Sequence, residues 1–225
     1  MNGRRLKIAV DADHTVSALW LAPRGAIACY VFAHGAGAGM SHPFMEAVAR
    51  GLATRGIATL RYQFPYMESG SRRPDRPALA EATVAAAVRK VVTLAPRLPL
   101  IAGGKSFGGR MTSQAQARQP LPKVRGLAFL GFPLHLSKKP AKDRAAHLAE
   151  VQLPMLFVQG DRDALADMKL LRSVTKQLGA RATLHTVDGA DHGFEVLVRS
   201  GRNDADVLEE VIDTLERWTA GLSAT

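Results

Sequence analysis

The stretch Leu100-Ile101-Ala102-Gly103-Gly104-Lys105-Ser106-Phe107-Gly108-Gly109 decides the fold. Its apolar start reads as a short strand over Pro99–Gly103, and Gly108–Arg118 reads as a helix. Between them stands Gly104-Lys105-Ser106-Phe107-Gly108, a G-x-S-x-G pentapeptide. Small residues cluster by chance, so the pentapeptide alone would pass for a glycine-rich turn with an incidental serine. The strand before it and the helix after it make it specific. A serine on so sharp a turn has its Oγ pushed into solvent. Side chains two residues before and two after it would collide, so both positions are glycine. The turn also sets Ser106 at a helix N-terminus, where the dipole favours developing negative charge.

Outward from this turn, short β-rich runs alternate with longer helical patterns. Val16–Leu21 alternates as a strand does, and a further strand without defined bounds precedes it. Ala26–Ala33 is a near-continuous apolar run, as in a strand buried on both faces. His42–Arg55 carries Phe44, Val48 and Leu52 at helical spacing and stops at Gly56, a C-cap residue. Ile57–Tyr62 is the next strand, and Pro77–Leu94 is an Ala-rich helix ended by Pro96. Val124–Leu130, Pro154–Val158 and Ala182–Val187 are further strands. Helices fall over Leu165–Leu178 and Asn203–Trp218. The order predicts one α/β domain over 1–225. Its core is a doubly wound, mostly parallel sheet of about seven to eight strands flanked by helices, with the working site at the carboxyl ends of the strands.

A serine hydroxyl needs a base within hydrogen-bond reach to act as a nucleophile. Of seven histidines, His135, His147, His185 and His192 follow Ser106. His192 lies in Gly189-Ala-Asp-His-Gly-Phe194, between the last strand and the last helix, and is the favoured base. His185 is inside a strand, His147 lies in a charged helical stretch, and His135, in Gly-Phe-Pro-Leu-His after Gly131, is the competitor. The acid is expected after Met155-Leu-Phe-Val-Gln-Gly160. Asp163, deeper in the turn, is preferred for orienting the imidazole. Asp161 is the second candidate and reads better as a turn residue bonded to backbone N–H groups. Asp191, adjacent to the histidine, ranks last.

Backbone donors for an oxyanion are expected from Phe107 and from the loop His34-Gly-Ala-Gly-Ala-Gly39, with Ala36 first and Gly37 as fallback. The same loop faintly resembles a dinucleotide fingerprint, but it departs from G-x-G-x-x-G and no acidic residue ends the next strand. The connection Phe132–Leu153 is 22 residues long. That is too short for a large cap, so an open site is expected. Phe132, Pro133 and His135 should line it, with His34, Tyr62, Phe64 and Tyr66 as further wall. Lys138, Lys139 and Lys142 are placed at its mouth, where they would favour carboxylate-bearing esters, or else in a solvated loop.

Composition narrows the remaining classes. The chain has 225 residues, 47% of them hydrophobic and 22% charged, which is ordinary for a globular domain. Thirty basic and twenty acidic residues give a net charge of +10. The basic residues are scattered, with small clusters at Arg72-Arg73-Arg76 and Lys138-Lys139-Lys142-Arg144. Neither cluster is interleaved with aromatics, so no nucleic-acid partner is expected. No stretch approaches the length of a membrane span. Asp11, Asp13 and His14 interrupt the N-terminal region before it could resemble a signal peptide. The one cysteine, Cys29, sits in an apolar strand and cannot form an internal disulfide. A cytoplasmic monomer or homodimer is expected. No metal-ligand cluster is visible, and no metal or organic cofactor is required.

HGAGAG, GKSFG, GDRD and GADHGF occur in this order across nearly the whole chain. Together they resemble the α/β-hydrolase superfamily. Within it, Gly-Gly-Lys-Ser-Phe-Gly-Gly-Arg110 and His-Gly-Ala-Gly resemble the KANL3/Tex30-like branch and are similar to the dienelactone-hydrolase-like group. That group typically carries cysteine as nucleophile, where this chain has Ser106. The resemblance implies a serine hydrolase with the triad Ser106, Asp163 and His192, acting on esters or thioesters of small molecules. The alternative is a catalytically silent scaffold of the same fold that binds a ligand or protein.

Overall fold

A computed structural model describes residues 3–223. Eight strands form one sheet: β1 Arg4–Ala9, β2 Thr15–Leu21, β3 Ala28–Ala33, β4 Ile57–Tyr62, β5 Leu100–Lys105, β6 Val124–Leu130, β7 Met155–Gly160 and β8 Ala182–Val187. Their spatial order is β1-β2-β4-β3-β5-β6-β7-β8. β2 pairs antiparallel with both β1 and β4, and every pair from β4 to β8 is parallel. The helices are α1 Pro43–Thr54, α2 Pro65–Glu68, α3 Pro77–Leu94, α4 Phe107–Arg118, α5 Met168–Leu178 and α6 Asp204–Ser223. The fold is an α/β hydrolase fold without a large cap. Between β6 and β7 the chain forms only a 3-10 segment, Asp143–Glu150.

The alternation of side chains along a strand divides the core into two layers. Cys29, Val31 and Ala33 of β3 join Val84, Val88, Met111, Leu171 and Val174, from α3, α4 and α5, on one face. Tyr30 and Phe32 join Met45, Val48, Leu52, Val207, Val211 and Leu215, from α1 and α6, on the other. Covering both faces explains why β3, β4 and β7 are buried along their whole length. Each fully buried Val, Leu or Phe contributes about 1.5–3 kcal/mol. Arg55, at the end of α1, binds Glu209, Asp213 and Glu216 of α6 and locks these two helices side by side.

Most element bounds agree with the sequence reading within a few residues. The leading strand is β1, an edge strand whose alternation is carried by mostly exposed and charged residues, which hides it from hydropathy. α6 extends past Trp218 to Ser223. Around Tyr66, where a loop wall was expected, the chain forms the one-turn helix α2.

Candidate active site

Ser106 joins β5 to α4 in a backbone conformation that L-residues seldom adopt, φ 49° and ψ −116°. Its N–H donates to the Leu130 carbonyl at 3.0 Å, which ties the turn to the end of β6. The flanking glycines are required by the neighbouring strand. A Cβ at Gly104 would lie 2.3 Å from the Ala33 carbonyl oxygen, and one at Gly108 would lie 2.5 Å from that of His34. The collision that fixes both residues is therefore with the backbone leaving β3. The turn is pressed against the very loop that faces the serine.

The three long-range groups meet at the carboxyl ends of the strands. The Ser106 hydroxyl donates to His192 Nε2 at 2.9 Å, and His192 Nδ1–H donates to Asp163 Oδ2 at 2.7 Å. The Asp163 side chain is fully buried, while that of His192 is 29% exposed. Buried carboxylates need donors, and Asp163 has three: His192, the Gln159 side-chain amide, and the Leu165 N–H at 2.7 Å on its other oxygen. The two other acids bond to backbone. Asp161 accepts from Gly189 N–H at 2.9 Å. Asp191 accepts from Gly193 and Glu195 N–H groups at 2.7 and 3.1 Å and shapes the loop that carries His192.

The glycine-rich loop after β3 is braced from beneath. His34 accepts from Phe64 N–H through Nε2 at 3.1 Å and donates through Nδ1 to the Gly35 carbonyl at 2.8 Å. Burial pushes its pKa down to about 4, so it is neutral. The Tyr66 hydroxyl donates to the Ala36 carbonyl at 2.9 Å. Ala36 and Gly37 line a cavity of about 770 Å³ that also contains Ser106 and His192. Phe107 opens α4, and the first N–H groups of a helix have no partner within it.

The wall of this cavity differs from the sequence expectation. It is built by Phe44, Met45 and Ala47 of α1, by Leu208 of α6, by Leu165 and by Phe194, with Lys105 and His42 beside them. Tyr62, Phe64 and Phe132 are completely buried and do not reach it. Phe132 packs edge-on against Phe129 and Phe157 at 5.3 and 5.7 Å, and Phe64 against Phe107 at 5.3 Å. Their apolar area is used under the sheet ends, where it gains more from burial than it would in an open cleft. His34 is a brace for the loop. Pro133 is buried with its neighbours, and His135 accepts from Asp167 N–H at 2.7 Å, latching the start of α5. Lys138, Lys139 and Lys142 are exposed and lie off the cavity. Sequence reasoning missed Lys105, which occupies the variable position of the pentapeptide, and the aromatic pair Phe44–Phe194, whose rings stack at 5.6 Å and 3°. Nothing local to either residue signals the other.

A second serine–histidine contact exists, between Ser113 Oγ and His147 Nε2 at 2.7 Å. Ser113 is buried in the middle of α4 and its hydroxyl donates to the Arg110 carbonyl at 2.8 Å. A hydroxyl has one proton, so His147 Nε2–H is the donor here. No group of three or more His, Cys, Asp and Glu side chains suited to a metal ion occurs among the described residues. None of their helices is long and apolar enough to cross a membrane.

A central parallel sheet with a serine on the turn between strand and helix, and an acid and a histidine on later turns, is the arrangement of α/β hydrolases. Residues 26–220 match the family model described as an alpha/beta hydrolase domain, and the chain belongs to that family. Among solved structures, an alpha-beta serine hydrolase homologue from Coxiella burnetii is 20% identical with a TM-score of 0.76, over 96% of this chain and 98% of that one. Dienelactone hydrolase from Anabaena variabilis is 20% identical with a TM-score of 0.76, over 98% and 99%. A serine hydrolase without lid from Xanthomonas campestris is 19% identical with a TM-score of 0.72, over 97% and 95%. At these identities the likeness speaks for the fold.

Proposed function

We propose that the chain is a serine hydrolase acting on esters or thioesters of small molecules. The observation that carries this reading is the connected chain of hydrogen bonds from Ser106 through His192 to Asp163. It opens onto a largely apolar cavity. In acylation, His192 Nε2 takes the Ser106 proton as Oγ bonds to the carbonyl carbon. The oxygen that becomes negative is received by the N–H groups of Phe107 and Ala36, with Gly37 adjacent. Asp163 stabilises the imidazolium and keeps Nδ1 protonated. As the carbon–oxygen or carbon–sulfur bond breaks, His192 returns the proton to the leaving group. Water then attacks the acyl-enzyme, gives its proton to His192 and releases the acid, and Ser106 regains a proton. Every proton is carried by groups of this chain, substrate and water.

The motif set GGKSFGGR and HGAG supports placing the chain in the KANL3/Tex30-like branch. We take residues 1–225 as one domain, working as a monomer or homodimer in the cytoplasm, with no nucleic acid or membrane as partner. The lone cysteine, buried in β3, fits a reducing compartment.

The test is turnover of p-nitrophenyl acetate and butyrate, with fluorophosphonate labelling of the serine. Wild-type protein should do both. Ser106→Ala should abolish labelling, and His192→Ala should reduce turnover at least about 10³-fold. A wild-type protein that neither labels nor turns over any ester, thioester or amide would leave the scaffold reading in its place.

A further inference from the structure

The residue before the nucleophile is a lysine, and it does something the triad scheme does not use. The Lys105 ammonium donates to the main-chain carbonyl of His192, 87 residues away in the chain. That is the hydrogen bond that the His192 backbone makes among the described residues. The loop around it is fixed on either side, by Asp191 on Gly193 and Glu195, and by the bridge between Ala190 and Val196. His192 itself would otherwise be held only through its ring. Lys105 has no carboxylate in ion-pair contact among the described residues. Its ammonium lies 5.0 Å from the centre of the Phe194 ring and 6.0 Å from that of Phe44, an arrangement that holds a cation without neutralising it.

We infer that Lys105 is a positioning residue for the base: its ammonium clamps the His192 carbonyl, so that two consecutive residues, Lys105 and Ser106, set both the main chain and the ring of His192. This rests on the hydrolase reading above. An ammonium–carbonyl bond is charge-assisted and about twice as strong as one from a neutral amine. The clamp therefore weakens when Lys105 loses its proton. The charged and titratable groups around it are Asp163 from the turn after β7, and Asp191 and His192 from the histidine loop. His42 before α1, Glu195, and Asp204 of α6 share the cavity. Burial lowers the lysine to about 8, against the opposing pull of Asp163 and Asp191. An alkaline limb in the rate is the consequence, centred near that pH.

The experiment is a pH profile of kcat and KM from pH 6 to 10 with p-nitrophenyl butyrate, on the wild type, Lys105→Met and Lys105→Arg. Wild-type kcat should fall several-fold above pH 8 with little change in KM. Lys105→Met, which keeps the stem and removes the donor, should lose roughly tenfold or more in kcat at pH 7.5 and show no limb near 8. Lys105→Arg cannot deprotonate in this range; it should recover much of the rate and also lack the limb. A wild-type kcat that is flat from pH 7.5 to 9.5, together with a Lys105→Met enzyme that keeps its rate, would overturn the clamp. So would a Lys105→Met enzyme with wild-type kcat beside a wild type that shows the limb. Either result with intact fluorophosphonate labelling leaves the hydrolase reading standing, whereas absence of labelling and turnover in the wild type removes both.

Discussion

Two serine–histidine contacts lie seven residues apart along the chain, one at Ser106 on the turn that opens α4 and one at Ser113 within the helix, and their chemistry differs. The contact at Ser113 is the shorter, 2.7 Å against 2.9 Å at Ser106. Distance therefore does not discriminate between them; polarity and surroundings do. At Ser106 the hydroxyl donates and the imidazole accepts, with a buried carboxylate behind the ring to stabilise the cation that forms. At Ser113 the hydroxyl proton is committed to a helix carbonyl and the imidazole donates. Among the described residues no carboxylate bonds the His147 ring; burial, with the nearby positive charge of Arg110 adding to it, holds its pKa down to about 4. A base must be able to become an imidazolium, and His147 is placed where that is opposed. Ser113 is also sealed inside the helix packing, while Ser106 stands on a strained turn facing a cavity.

The widest gap between the two pairs should appear in activity. Ser106→Ala should lower kcat for a p-nitrophenyl ester by at least about 10³-fold. Ser113→Ala should change it by less than about threefold. Its cost should fall on stability instead, roughly 1–2 kcal/mol in a urea titration, because a buried hydroxyl is lost and His147 is left without its acceptor. A Ser113→Ala enzyme as inactive as Ser106→Ala would reverse the assignment of the two pairs.

The acid behind the ring is the next point at which the comparison can be sharpened. Asp163→Asn removes the charge and offers the ring an amide that can present the wrong partner to Nδ1–H. A loss of about 10²- to 10⁴-fold in kcat is expected. Asp161→Asn keeps the side-chain oxygen that accepts from Gly189 N–H, so its kcat should stay within about twofold. Equal losses in the two variants would show that the turn, and not the Asp163 charge, is what matters.

How much of this was legible in the chain divides along the same line between local and long-range requirements. The elbow at Ser106, the turn bearing Asp163 and the glycine-flanked His192 could be read because each need is met by residues adjacent in sequence. Chain order then paired them. The cavity wall could not be read in that way. Tyr62, Phe64 and Phe132 stand at strand ends near the site, and only their ring packing, of Phe64 on Tyr62 and Phe107 and of Phe132 on Phe129 and Phe157, decides that they turn inward. Phe44 and Phe194 come from segments 150 residues apart and acquire a role by stacking on each other. Lys105 gives no signal in sequence because its partner is a backbone carbonyl, which leaves no trace in residue type. β1 has no bounds in the sequence pattern because an exposed edge strand owes its place to backbone pairing with β2.

A last contrast, read in stability and not in rate, concerns the histidines that are kept neutral. His34 and His147 are both lowered to about 4, in each case chiefly by burial, whereas an unfolded histidine titrates near 6.5. Between these values the unfolded chain binds protons that the folded chain refuses. The free energy of unfolding must therefore fall as pH drops from 6.5 to 4, and it is fully present above 6.5. At about 1.4 kcal/mol per pH unit the ceiling is about 3.5 kcal/mol for His34, which is wholly enclosed, and less for His147, which water partly reaches. Urea midpoints at pH 7 and pH 5 measure the slope. His147→Gln should flatten it modestly and leave ester turnover at pH 7 within about twofold, because the ring it removes donates a structural hydrogen bond and takes no proton from a nucleophile. If that variant instead kept the full slope and lost its activity, His147 would be acting as a base despite Arg110, and the distinction between the two pairs would have to be drawn on grounds other than charge.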